Sequence, residues 1–468
     1  MRHVLMVLGT TFFGAALGIP GLERAYAQPG VQVDWFENYR SGHDPEFAFA
    51  RAVAVDGSGN VYVTGSSYAS NGLPDYATVK YSSSGDRLWV QRYNGPEDNW
   101  DAAWDLALDA SGNVYVTGVS YGSNFFDYVT IKYGPSGTEE WAARYNDPAN
   151  SDDWANALAV DGSGNVYVTG YSIGSGTFYD YATVKYGPSG AQEWVARYNG
   201  PGNTKDRAWD VAVDGSGNVY VTGDSGEGSV NQSDYVTVKY DPSGVQQWAA
   251  RYTNGFDYAT ALGVDASGNV YVTGYSYGSG TFYDYATIRY DANGTQRWVD
   301  RYHGGVGDDF AYALAVDAAG NVYVTGESVG SGTGSDYATL KYSAAGKRRW
   351  VARYDSPHPG FGSDVANAVA VDASGNVYVT GESDDVGTET DFATVKYSKL
   401  GAEQWVARFT GPDVDNSFDQ AAALAVDGSG NVHVTGSSAY VGGAGRIWTT
   451  IKYSQTLDLD DSLGQSRR

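Results

Sequence analysis

The sequence predicts an all-β fold, an eight-bladed β-propeller of four-stranded antiparallel blades. Three observations lead to this prediction. A segment of about 53 residues recurs eight times, each copy contains four short strand-like runs, and the last copy lacks a run that the N-terminal region supplies. A ring of blades leaves only short, protected strand edges.

The repeat is centred on the segment Asp-Gly-Ser-Gly-Asn-Val-Tyr-Val-Thr-Gly, which begins at Asp56 in the first copy. Its aspartate recurs at intervals of 51 to 55 residues. The eight signature aspartates are Asp56, Asp109, Asp161, Asp214, Asp265, Asp317, Asp372 and Asp427. A fixed period of this length indicates one supersecondary unit per repeat.

Each copy reads as a four-stranded meander. In the third copy the runs are 157–160, 166–169, 181–186 and 194–198, and their period-two alternation with β-branched and aromatic residues is typical of strands. Glycine-containing turns join the first run to the second and the third to the fourth. Side-chain size increases from the first run to the fourth, as expected where blades diverge from a central axis.

The two ends of the chain are predicted to meet in the eighth blade. The last copy ends after its third run at 451–453, whereas Trp35 to Tyr39 match the fourth-run pattern. We therefore expect residues 33–39 to complete the eighth blade and residues 33–453 to form one domain. Residues 454–468 are predicted to be a polar C-terminal tail.

The N-terminus has the pattern of a secretory signal peptide. Arg2 and His3 precede an apolar run, and Ala25-Tyr26-Ala27 is a small-x-small cleavage pattern, so we predict a signal peptide at 1–27. An uncleaved membrane anchor is the alternative, against which Pro20 and the early charges at 23 and 24 argue. The expected location is secreted, periplasmic or cell-surface, with no membrane insertion after cleavage.

Composition restricts the functions further. The chain has 468 residues, no Cys and a formal net charge of −25. The lack of Cys excludes disulfides, thiolate zinc sites and iron–sulfur clusters. The negative charge argues against nucleic acid as a partner.

The Asp-Gly-Ser-Gly-Asn-Val-Tyr-Val-Thr-Gly core resembles the bacterial SBBP-type β-propeller repeat and, more loosely, the NHL repeat. The resemblance covers residues 33–453 and implies a secreted or cell-surface propeller without a common activity. The step from Gly190 to Trp194 is also similar to the tryptophan-docking motif of quinoprotein propellers. The vicinal disulfide of those enzymes is impossible here, and we expect no such cofactor.

The residues that recur in seven or all eight copies are interpreted as framework. The fourth-run Trp, the Arg three residues after it and the Asp at the start of the third run are expected to pack and pair between strands and blades. The signature turns offer one carboxylate each, which favours a hairpin turn over a calcium loop. Calcium is the one cofactor that the sequence leaves open.

Departures from the repeat are the better guide to a ligand site. The loops between the second and third runs, and those between blades, share one face, which we call the long-loop face; the opposite face is the tight-turn face. Five residues before each signature Asp, near the predicted channel mouth, the repeat breaks down. Candidate ligand-binding residues are Arg51, Trp104, Trp209 and Tyr312 at this position and the loop aromatics Tyr121 and Tyr277.

A second recurring feature is an Asp eight residues before the signature Asp. The seven candidate metal ligands are Asp101, Asp153, Asp206, Asp257, Asp309, Asp364 and Asp419. A ring of carboxylates attracts cations or calcium-bridged ligands. Caps on neighbouring loop amides are the alternative role.

The leading functional hypothesis is an exported, non-enzymatic binding or scaffold propeller that recognises a protein or a glycan on the long-loop face. One alternative is an extracellular polysaccharide lyase or hydrolase with its site at the channel mouth. The other is a calcium-dependent structural protein of the envelope. Catalytic residues are not identified, because His43, His303 and His358 lie in three separate loops without a linking motif.

Overall fold

The computed structural model describes residues 24–43, 47–174, 176–226, 228, 233–278, 282–357, 362–385, 388–412, 418–439 and 445–455. These residues form strands and turns without any helix, so none of the described segments is an apolar helix that could span a bilayer. His358 lies outside the described residues, as do residues 1–23 of the predicted signal peptide and 456–468 of the predicted tail.

Eight four-stranded antiparallel blades follow one another as predicted. Blade 1 consists of Ala48–Val55, Val61–Tyr68, Pro74–Tyr81 and Arg87–Tyr93, and blade 2 of Asp101–Leu108, Val114–Tyr121, Phe126–Tyr133 and Glu139–Tyr145. Blade 3 consists of Asp153–Val160, Val166–Ile173, Tyr179–Tyr186 and Gln192–Tyr198, and blade 4 of Asp206–Val213, Val219–Gly226, Ser233–Tyr240 and Gln246–Tyr252. Blade 5 consists of Asp257–Val264, Val270–Tyr277, Tyr283–Tyr290 and Gln296–Tyr302, and blade 6 of Asp309–Val316, Val322–Gly330, Gly334–Tyr342 and Arg348–Tyr354. Blade 7 consists of Gly362–Val371, Val377–Asp385, Thr388–Tyr397 and Glu403–Thr410, and blade 8 of Gln420–Val426, Val432–Ala439, Arg446–Gln455 and Val31–Tyr39.

The fourth strand of blade 8 comes from the N-terminal region. Val31–Tyr39 pairs antiparallel with Arg446–Gln455, and Trp35 lies opposite Lys452. The paired strands extend two residues beyond each end of the predicted domain. Ser454 and Gln455 of the predicted tail are therefore part of the sheet.

A short additional strand, Arg24–Ala27, pairs antiparallel with the outer strand of blade 7, Glu403–Thr410. It contains the predicted cleavage pattern. Removal of the predicted signal peptide after Ala27 would therefore take one strand from the edge of this blade.

The fourth-strand Trp joins neighbouring blades. Trp194 of blade 3 lies against Gly244 in a turn of blade 4, and its indole N–H donates to the carbonyl of Pro242 at 3.1 Å. Seven blades repeat this contact, through the Trp–Gly pairs 35–85, 89–137, 141–190, 194–244, 248–294, 298–346 and 350–401. Because Trp35 belongs to blade 8 and Gly85 to blade 1, the contact also joins the last blade to the first.

The signature turns and third-strand aspartates are structural, as expected. Asp161 accepts backbone N–H groups from Ser163 and Asn165, and also bonds the Asn165 amide and the Tyr167 hydroxyl. The third-strand Asp forms an ion pair with the fourth-strand Arg in blades 1 to 7, at 2.6 to 3.4 Å. These contacts account for the polar residues that recur in each blade.

Candidate functional site on the long-loop face

The variable position five residues before each signature Asp, which the sequence placed near a channel mouth, is a β-bulge in every blade. In blade 3 the pairing of the first two strands shifts between Ala155 and Ala157, so that Asn156 has no partner across the sheet. The same shift occurs in the other seven blades. The eight bulge residues are Arg51, Trp104, Asn156, Trp209, Thr260, Tyr312, Asn367 and Ala422. A bulge re-aims a side chain, and bulges are over-represented beside active sites.

Two further variable positions face each other beside the bulge. In blade 3 the bulge brings Trp154 opposite Tyr171, and in blade 5 it brings Tyr258 opposite Tyr275. The corresponding pairs are Arg207 with Asp224 in blade 4 and Phe310 with Glu327 in blade 6. Each of these blades therefore presents three residues that differ from copy to copy.

These side chains form two aromatic arrays, which we define by their ring contacts. The first array crosses blades 2 to 4 and consists of Trp100, Tyr121, Phe126, Trp154, Tyr171, Tyr179 and Trp209, with ring centroids 5.0 to 6.3 Å apart. The second crosses blades 5 and 6 and consists of Phe256, Tyr258, Tyr275, Tyr277, Tyr283, Phe310 and Tyr312, with centroids 4.9 to 6.5 Å apart. Both run from a loop to a bulge residue.

Carboxylates lie along these arrays and are held by neighbouring side chains. Asp224 accepts the indole N–H of Trp209 at 2.6 Å and pairs with Arg207 at 3.0 Å. The hydroxyl of Tyr312 donates to Glu327 at 2.5 Å. Burial raises the pKa of Asp224, while Arg207 opposes the shift. The surface thus offers aromatic rings beside one partly exposed acceptor, Glu327, while the buried Asp224 is paired with Arg207.

The structure brings the predicted ligand-binding residues together in three groups. Arg51 lies over the Trp104 ring at 4.8 Å. Tyr121 and Trp209 belong to the first array, and Tyr277 and Tyr312 to the second. Five residues that connect the predicted residues within the two arrays were not predicted from the sequence: Trp154, Tyr171, Tyr258, Tyr275 and Phe310. All five occupy two variable positions. Trp154, Tyr258 and Phe310 each follow a recurring Asp, and Tyr171 and Tyr275 each follow a Thr-Gly pair, so a comparison of these two positions among the copies would have found them.

The seven predicted metal-ligand aspartates are buried between blades, with at most 1% of their surface exposed. One carboxylate oxygen of each accepts a backbone N–H from the preceding interblade loop at 2.6 to 2.9 Å, the capping role that the sequence left open. Burial raises the pKa of Asp101, Asp206, Asp257 and Asp364 to about 6 and that of Asp153 and Asp419 to about 7. A role for the whole set in metal binding stays a prediction.

The described histidines do not converge. His303 Nδ1 lies 3.2 Å from Asp284 and 3.3 Å from Asp309, between blades 5 and 6. His43 lies near Asp75 of blade 1 and weakly lowers the pKa of that carboxyl, which burial raises overall. Neither histidine is part of the aromatic arrays.

Two clefts lie on the opposite, tight-turn face. Their volumes are about 480 and 470 Å³, and they occupy equivalent positions between blades 6 and 7 and between blades 3 and 4. Recurring residues line both, including Asp317 and Tyr323, which are already hydrogen-bonded to each other. We regard these clefts as features of the framework and favour the variable long-loop face as the ligand site.

The fold and the repeated blades define a β-propeller protein. Solved structures agree: Sqt1 from Chaetomium thermophilum is 12% identical, with 90% of this chain and 100% of that chain covered and a TM-score of 0.53. An inactive virginiamycin B lyase from Staphylococcus aureus is 11% identical, with 89% and 99% covered and a TM-score of 0.41. Polysaccharide lyase Uly1 is 11% identical, with 88% and 93% covered and a TM-score of 0.43.

The repeat itself can be named. The family model of the SBBP β-propeller repeat matches residues 48–73, 140–176, 193–228 and 301–332. This β-propeller therefore contains four segments that match the SBBP repeat. No curated protein sequence matches it.

Proposed function

We propose that this protein is an exported, carbohydrate-binding propeller whose two aromatic arrays hold a neutral oligosaccharide chain. The observation that carries the proposal is the continuity of each array from a loop to the channel-mouth bulge, at positions that the repeat leaves variable. Aromatic rings provide rigid apolar faces with a polar tip, which suit the C–H faces and hydroxyls of sugar rings.

The acceptors beside the rings favour a neutral ligand. The partly exposed Glu327 is an acceptor for sugar hydroxyls, whereas Asp224 is buried and its oxygens accept hydrogen bonds from Trp209 and Arg207. Arg207 partly balances the charge of Asp224, and the Tyr312 hydroxyl occupies one oxygen of Glu327, so both groups attract a cationic ligand less than free carboxylates would. The net charge of −25 disfavours acidic polysaccharides.

The test is calorimetric binding of the mature protein to soluble neutral oligosaccharides, with uronic acid-containing oligosaccharides as the charged comparison. Trp154→Ala and Tyr258→Ala each truncate one half-buried ring of an array, and we expect each to weaken binding about ten-fold or more. Leu400→Ala is the matched control, since Leu400 is 78% exposed in a tight turn on the opposite face. Circular dichroism checks that the variants fold.

Binding of neutral oligosaccharides that both array variants reduce and Leu400→Ala leaves unchanged would support the proposal. No binding to any neutral oligosaccharide, or equal affinity of the wild type and both array variants, would refute it. If no sugar binds and a protein partner binds through the same residues, the ligand is a protein, the other class that the sequence predicts.

A further inference from the structure

The loop between blades 6 and 7 contains a carboxylate that the other described interblade loops lack at the same position. This is the residue after the final aromatic residue of the fourth strand. In blades 1 to 7 it is Asn94, Asn146, Asn199, Thr253, His303, Asp355 and Thr410. Asp355 thus adds a third carboxylate where Asp336 of blade 6 meets Asp364 of blade 7.

The three side chains are close enough to share one ion. One carboxylate oxygen from each of Asp336, Asp355 and Asp364 lies within 4.8 Å of the other two. Calcium binds oxygen ligands at about 2.4 Å, so two ligands of one ion are at most about 4.8 Å apart. The spacing of the three oxygens is therefore compatible with a single calcium ion.

A second observation concerns the buried oxygens at this place. Asp364 is fully buried and Asp336 is 3% exposed. Oδ2 of each is already engaged, with the Ser356 N–H at 2.8 Å and with Arg353 at 2.7 Å. Oδ1 of Asp336 and of Asp364 has no hydrogen-bond partner of good geometry, as is also the case at equivalent aspartates of other blades. The buried hydroxyl of Ser356 has no such partner either, and it is particular to this place, because glycine stands at the same position before Asp101, Asp206 and Asp309. Buried oxygens in this state are costly unless a donor or a cation compensates them.

The local charge points the same way. Three carboxylates and Arg353 sum to −3 + 1 = −2. Arg408 also faces Asp364, but it forms an ion pair with Asp391 at 3.4 Å. A divalent cation would neutralise the remaining charge.

The neighbouring site between blades 5 and 6 provides a natural comparison. Asp284, Asp309 and Arg301 occupy the positions of Asp336, Asp364 and Arg353, while His303 stands in place of Asp355. The imidazole of His303 lies within hydrogen-bond distance of both carboxylates and, when protonated, supplies positive charge. The carboxylate of Asp355 offers the other two carboxylates neither a hydrogen-bond donor nor a positive charge.

We propose that Asp336, Asp355 and Asp364 bind one calcium ion between blades 6 and 7. All three ligands are oxygens, which suits a hard cation, and the exposed side of Asp355 gives water access to the remaining coordination positions. The ion would connect two blades through residues that belong to neither array, so the site does not depend on the proposed carbohydrate function.

The test uses the mature protein, freed of metal by chelation and titrated calorimetrically with calcium chloride alone. We expect one ion per chain for the wild type. Asp355→Asn should weaken binding about ten-fold or more because a charged ligand is lost, and the fold should accept it because blades 1 to 3 have Asn at this position. His303→Asn is the matched control at the neighbouring site and should leave calcium binding unchanged.

His303→Asp supplies a gain-of-function test, since it reproduces the three-carboxylate arrangement between blades 5 and 6. We expect it to bind a second calcium ion. The proposal is overturned if the wild type binds no calcium, or if Asp355→Asn binds it as the wild type does. Should Asp355→Asn not fold, His303→Asp decides: two ions support the proposal and one ion overturns it.

Discussion

The Trp–Gly contact between blades gives the sharpest stability prediction. Gly244 has a φ of 85°, and a Cβ placed on it would lie 2.7 Å from the ring of Trp194. Gly244→Ala therefore combines two effects: the conformational cost of Ala at positive φ and the displacement of the indole from its site. Gly217 separates them, because it has a φ of 79° but its nearest neighbour, Pro242, would be 3.4 Å from the new Cβ.

The magnitudes follow from this difference. Ala at positive φ costs about 1–2 kcal/mol, which is the expected loss for Gly217→Ala. Gly244→Ala adds lost packing of a half-buried Trp and the strain on its hydrogen bond to the Pro242 carbonyl, together about 2 kcal/mol. We therefore expect Gly244→Ala to lower the free energy of unfolding by about 3–4 kcal/mol.

The assay is urea unfolding followed by circular dichroism for both Gly variants, alone and combined with Trp194→Ala. In the Trp194→Ala background the two Gly substitutions should cost nearly the same, because the ring that distinguishes them is gone. The coupling between Trp194 and Gly244 should then be about 2 kcal/mol. Equal destabilisation by the two Gly variants in the wild-type background would refute the docking argument.

Three further predictions can be checked with the same protein. Asp206→Asn should remove one pH dependence of the protein's stability. Burial raises the pKa of Asp206 to about 6, so the native state binds a proton more readily than the unfolded state. The contribution of this group to the free energy of unfolding, about 2–4 kcal/mol, is therefore lost as the pH rises from about 4 to 6. Thermal melts at pH 5 and 8 should differ less for the variant, and an unchanged difference would contradict the assignment. Trp194→Phe should lower the free energy of unfolding by about 1 kcal/mol, because it removes the indole N–H that donates to the Pro242 carbonyl. Urea unfolding measures this change, and an unchanged free energy would show that the hydrogen bond contributes little. Export should give a mature chain starting at Gln28, read from its intact mass; a retained Met1 would contradict the predicted cleavage.

The strands and the contacts between blades could be predicted from the sequence because each blade repeats the same local sequence patterns. Alternating residues, glycine turns and the Trp–Gly spacing all favour the same strands and contacts, and the Trp35 motif identified the strand that completes blade 8. The degree of burial was not predicted: Trp194 is half-buried, so its packing stabilises the fold less than full burial would.

The candidate site was predicted only in part, for a reason of register. Trp209 and Tyr312 were found because they break the repeat. The pairing of Trp154 with Tyr171 depends on the bulge at Asn156, which shifts the register by one residue; without it Trp154 would face Ser172. Sequence periodicity does not reveal such a shift, and the aromatic arrays therefore emerged only from the three-dimensional pairing.

The burial of the recurring aspartates could not be predicted from the sequence either. Asp206 begins a strand, and the recurrence of an Asp at this position predicted a ring of candidate metal ligands. Its surroundings are set by the approach of the neighbouring blade, since Gly200 and Asp180 come from blade 3 or the loop that follows it. Contacts between repeats of this kind are set by tertiary packing rather than by local pattern.

The most direct test of the circular architecture is a crosslink between the chain's two ends. Thr449 donates a side-chain hydrogen bond to Asn38 at 2.9 Å across the paired strands of blade 8. Because the chain has no Cys, the double variant Asn38→Cys with Thr449→Cys can form only one intramolecular disulfide. The architecture predicts nearly complete crosslinking of the folded protein under mild oxidation, detected by mass spectrometry, with neither single variant crosslinking. Two free thiols in the folded double variant would contradict it.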